Sequence, residues 1–194
     1  MNENEKFKLN DKELDYGILD FWKYKYSNIW NMQEYIAEFL IEKALGLEKS
    51  HNTDSWTLYD IDYRNKRIEI KETSYYHPWN ENGKISKQRV FGITMANSNY
   101  ENSLEENKFE RQNDLYVFCL NIGKTKDESD PMNIKNWEFY IVSTNIINNL
   151  CGKNKTISLG KVKNIAKQID YFEIINYIDY LIEKEEIYFK LQFI

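Results

Sequence analysis

Two alternating stretches, WTLYDIDY (residues 56–63) and RIEIKETSYY (67–76), flank the short polar break RNKR (64–67), and this pattern confines the chain more than any other. Side chains along a strand point to alternate faces, so Ile61, Ile68 and Ile70 share one side while Asp60, Asp62, Glu69 and Lys71 share the other. Alternation on both sides of an Asn-containing turn predicts a β-hairpin. With the turn centred on Asn65 and Lys66, Asp62 falls opposite Glu69, and Asp60 opposite Lys71. A one-residue slip would separate the aspartates from Glu-x-Lys.

Around this hairpin the periodicity predicts a helix over 28–46 stopped by Gly46, then a strand at RVFGITM (89–95) and a polar loop or helix at 98–112. DLYVFCLNI (114–122) and WEFYIVS (137–143) are rich in aromatic and β-branched residues and read as strands. Helices follow at 143–150, within KVKNIAKQ and at 170–186. The order helix, three strands, variable segment, strands, helices predicts an α/β fold with a mixed central sheet flanked by helices. With no repeat or low-complexity linker in its 194 residues, the chain is expected to form a single domain, its core over about 28–143 and a C-terminal helical part over about 144–194.

With 42% hydrophobic and 15% aromatic residues and only two prolines, the composition argues against disorder. A net charge of -5 excludes a globally basic nucleic-acid coat but not a local basic groove. Positive charge gathers at 64–67, 84–89 and KNKTISLGKVKNIAK (153–167), each by itself a solvated surface. No apolar run approaches the about 20 residues that span a membrane, and MNENEKFKLNDKELD lacks a signal-peptide core, so a cytoplasmic protein with no membrane partner is expected. Cys119 and Cys151, like His51 and His77, are too scattered in sequence for a His/Cys zinc site.

The helix before the hairpin adds Glu34, Glu38 and Glu42, spaced four apart; Glu34 lies within the arc of Ile41 and Leu45, Glu38 at its edge, and Glu42 on the surface. Clustered carboxylates repel one another unless a cation compensates. Mg²⁺ prefers oxygen ligands and needs only one or two carboxylates, while a nearby lysine can orient a water and stabilise charge on phosphorus. Glu69 and Lys71 alone would read as the wet face of a strand; joined to a strand Asp and a helix Glu, they suit phosphodiester hydrolysis.

AEFLIEKALG followed by YDIDYRNKRIEIKETSYYHPW resembles the active-site core of the PD-(D/E)XK, or restriction-endonuclease-like, nuclease superfamily. The resemblance covers about residues 28–95 plus DLYVFCL, with no specific match in the last third. It implies a restriction-endonuclease-like core and a DNA-hydrolysing, Mg²⁺- or Mn²⁺-dependent endonuclease with a role such as restriction of foreign DNA, in a family whose members often act as homodimers. Asp60 and Glu69 would hold the metal, Lys71 would act on the water, and Glu38 would support the site. No proline precedes Asp60, Asp62 fits the strand position as well, and Glu34 rivals Glu38. Lys84, Lys87, Gln88 and Arg89 are candidates for phosphate contact. The alternative is a non-catalytic module that binds nucleic acid or protein on the same fold.

Overall fold

The computed structural model describes residues 2–48, 58–77, 89–97 and 109–191, with side chains to 184. In chain order the elements are β1 (Lys6–Leu9), β2 (Lys12–Gly17), α1 (Ile18–Lys25), α2 (Gln33–Ala44), β3 (Ile61–Tyr63), β4 (Lys66–Ser74), β5 (Val90–Gly92), β6 (Ala96–Asn97), β7 (Phe109–Glu110) and β8 (Leu115–Asn121). They continue with β9 (Trp137–Ser143), α3 (Thr144–Cys151), β10 (Thr156–Ser158), α4 (Leu159–Ile165), β11 (Gln168–Ile169) and α5 (Ile174–Leu191).

A five-stranded mixed sheet, ordered β11-β9-β8-β4-β3, forms the centre; only β4 and β8 run parallel to each other. Its register sorts side chains by parity. Ile68, Ile70, Leu115, Val117, Cys119, Phe139 and Ile141 face one way, against Ala37 and Ile41 of α2 and Ile174, Ile178 and Ile182 of α5. Tyr116, Phe118, Leu120, Tyr140 and Val142 face the other way, against Phe91, Ile93, Ile147, Ile157 and Val162. Burial on both faces explains why β8 reads as a continuous apolar run rather than an alternating one.

Local chemistry sets the helix ends. Ser143 Oγ accepts the Asn145 N–H at the start of α3. Gly46, at φ +70°, ends α2: its N–H reaches Lys43 O while Leu47 N–H reaches Glu42 O, the paired bonds of a Schellman turn.

Three features depart from the sequence reading. The polar N-terminus forms a separate hairpin, β1–β2, followed by α1, although no residue of β1 or α1 is buried. The last third, expected to be helical, adds β10 and the edge strand β11. Glu42, expected on the surface, is buried because α2 packs against both the sheet and α5, widening its covered arc. Among the described residues no helix is long and apolar enough to cross a membrane.

Candidate functional site at the edge of β4

The β3–β4 hairpin turns at Arg64 and Asn65, with φ of 50° and 59°, one step earlier than expected. A two-residue loop requires positive φ at both positions, and Lys66 instead begins the strand. Asp62 therefore pairs with Arg67, and the same register carries Asp60 to Glu69. This two-position correction leaves every side chain on its expected face, since facing alternates with period two.

β3 ends after covering Lys66–Ile68, and Asp60 takes over where the ladder stops: its Oδ2 accepts the Ile70 N–H at 2.6 Å, and its own N–H reaches Ile68 O at 3.0 Å. That bond fixes the Asp60 carboxylate beside the Glu69-x-Lys71 stretch. Glu69 and Lys71, two positions apart on one face, form an ion pair between Oε1 and Nζ.

The electrostatics bind the helix acids into the same group. Burial, then Asp60 and Glu34, push Glu38 up to about 7, against the pull of Lys71. Burial also raises Glu69 to about 7, with Lys71 opposing and Asp60 reinforcing the shift. Asp60 is raised by burial, although the Ile70 N–H and Lys71 both favour its charged form. For Lys71 burial acts downward, but Glu69, Asp60 and Glu34 outweigh it and hold the ammonium above its usual range. The group is a half-buried set of carboxylates with one internal cation.

Asp60, Glu69, Lys71 and Glu38 thus come together, and Glu34, though exposed, acts on all four. Asp62 does not join them; it is exposed and accepts the Tyr59 hydroxyl at 3.0 Å. Lys84, Lys87 and Gln88 lie outside the described residues. Arg89 is only 6% exposed, with Nη2 donating to Tyr75 O at 3.0 Å and its guanidinium 4.6 Å from the Tyr75 ring centroid. These contacts tie the exit of β4 to the start of β5.

Glu72 is the acid that the sequence reading missed. Burial raises it to about 7 against a hydrogen bond with Ser74, Glu34 adds repulsion, and its Oε1 has no hydrogen-bond partner among the described residues. The available signal was its parity: Glu72 follows Ile68 and Ile70 on the apolar face, where an unaccompanied carboxylate is costly.

The donor set suits a hard divalent ion, being all carboxylate oxygen and short of positive charge. As the side chains stand, with Glu69 on Lys71, no group of three His, Cys, Asp or Glu among the described residues is arranged to hold a metal. Without a divalent ion, the raised carboxylates make pH dependence a direct test. Glu38, Glu69 and Glu72 each move from 4.5 to about 7, so between those values the folded state binds more protons than the unfolded one. Their favourable contribution is full below 4.5 and is lost as pH rises through about 7. In chelator, the melting temperature is expected to fall between about pH 5 and about pH 8, and Glu72→Gln is expected to flatten that fall. A flat or rising profile for the wild type would contradict the burial of these acids.

No protein-family model matches the chain, and no curated protein matches it either, so the reading of this site rests on its own chemistry.

Proposed function

We propose that the protein is a metal-dependent nuclease of the PD-(D/E)XK kind that hydrolyses DNA phosphodiester bonds. The observation that carries this reading is the meeting of Asp60, Glu69, Lys71 and Glu38 at the edge of β4, with acids supplied by both hairpin and helix. Asp60 and Glu69 would hold Mg²⁺ or Mn²⁺, with Glu38 supporting it. When bound, the ion supplies positive charge against that developing on the phosphoryl oxygens. Lys71 Nζ orients the attacking water and faces the same developing charge. Glu38, raised to about 7, can hold a proton at its carboxyl near neutral pH. Asp60, braced by the Ile70 N–H, keeps the site aligned with the strand.

Two measurements test the reading together. Plasmid or single-stranded DNA should be cut with Mg²⁺ or Mn²⁺ and left intact with chelator. Divalent ion at about 100 times its dissociation constant should stabilise the wild type by about 2.7 kcal/mol, a rise of about 5–10 °C for a chain of this size. Asp60→Asn should lose that rise. Absence of both cleavage and stabilisation would reject the proposal.

A second reading, a binding module without turnover, is favoured by the Glu69–Lys71 ion pair, which satisfies both groups without a metal. It expects nucleic-acid or protein binding that survives chelation and Glu69→Ala.

A further inference from the structure

Residues 139–169 contain five lysines and no Asp or Glu, in a chain whose net charge is -5. This span builds α3, β10 and α4, which lie with β5 over the sheet face that carries Glu69 and Lys71. β10 pairs with β5, and residues 89–97 are acid-free as well.

Not all of this charge is equally disposed. Lys163 Nζ lies 2.8 Å from Glu138, and Lys161 Nζ donates to Leu150 O at 2.7 Å. Lys153 and Lys155 are exposed, in the loop after Gly152. Arg111 holds that loop through Nη1 to Gly152 O and Nη2 to Asn154 O, both at 3.0 Å, while Ile93 N–H reaches Lys155 O at 2.9 Å. The charge of Arg111 also acts on Tyr116, which stands beside Glu69 in the parallel β4–β8 register. One buried guanidinium therefore holds the lysine loop and acts on the neighbour of a site carboxylate.

We propose that loop 152–155 is a clamp for the sugar-phosphate backbone of nucleic acid held at the β4 site, with Lys153 and Lys155 each meeting a phosphate. This deepens the nuclease reading and rests on it for the choice of partner. An acid-free layer beside a phosphodiester site favours a polyanion, and phosphate contacts of this kind position a substrate without reading its sequence.

The test is binding of labelled duplex DNA in chelator, so that no cleavage intervenes, across about 50 to 200 mM salt. Lys153→Ala with Lys155→Ala should weaken binding and lower the log–log salt slope by about 2. The ratio of wild-type to variant affinity should then shrink about tenfold across that range. The melting temperature should stay unchanged, and Lys12→Ala with Lys23→Ala, on the N-terminal unit, should bind as wild type. An unchanged slope and affinity in the double variant would overturn the clamp while leaving cleavage by the wild type to uphold the nuclease reading. A reduced slope, with a wild type that cuts nothing in Mg²⁺, would support the clamp and reject only the nuclease step. A wild type that binds no nucleic acid at low salt would overturn the clamp.

Discussion

Lys71→Ala is expected to lower metal-dependent cleavage by about 10²–10³-fold, the usual loss when one preorganised stabiliser of transition-state charge is removed. The fall should be in kcat, with DNA affinity nearly unchanged, because the ammonium is half-buried among carboxylates rather than presented on an exposed groove. A stability signature should accompany it. Lys71 is the cation facing Glu69, Asp60 and Glu34, so its removal leaves those acids to repel one another. The variant should therefore melt lower than wild type at about pH 8 and nearly alike at about pH 5, where Glu69 and Glu38, raised to about 7, are protonated. Equal cleavage by wild type and variant would sink the assigned site, whatever the fold.

Arg111→Ala is expected to give the largest loss of stability. The residue is 7% exposed, and its guanidinium donates to Ile93 O at 2.9 Å, Asn148 Oδ1 at 2.7 Å, and Gly152 O and Asn154 O at 3.0 Å each. Truncation leaves three backbone carbonyls without this donor. Hydrogen bonds to a charged group contribute about 1.5–3 kcal/mol each, and bonds from one group do not add fully. A loss of about 3 kcal/mol or more is expected, or about 6–12 °C in melting temperature. Arg111→Lys should recover little of it, because one ammonium cannot reproduce the planar fork that spans β5 and the end of α3. A loss below about 1 kcal/mol in urea unfolding would show that the guanidinium is not the tie between these elements.

Fold and site were legible to different depths. β9 matches its sequence reading residue for residue, because WEFYIVS combines β-branched and aromatic residues with a following Ser cap. β1 and α1 were not legible, since the segment is rich in Lys, Glu and Asn and buries little. β11 has only two residues, too few for any periodicity. At the site, Glu69, Lys71 and both candidate helix acids were legible as types and spacings, but choosing between Asp60 and Asp62 depended on where the turn closed. Glu72 was hidden by its charge, which reads as the wet side of a strand until the register places it beside Cys119.

The sequence by itself determined which side chains of the hairpin share a face, because that follows from period-two geometry and survives a two-position change of register. It also determined that carboxylates and a lysine would stand close together along the chain. Only the tertiary structure decided which of them meet. The early termination of β3 frees the Ile70 N–H for Asp60, α2 packs so that Glu38 and Glu34 reach the same edge, and Arg111 draws a loop from residue 152 onward against Ile93. The last two are contacts across tens of residues, set by packing and by the need to satisfy buried polar groups, and no local spacing encodes them.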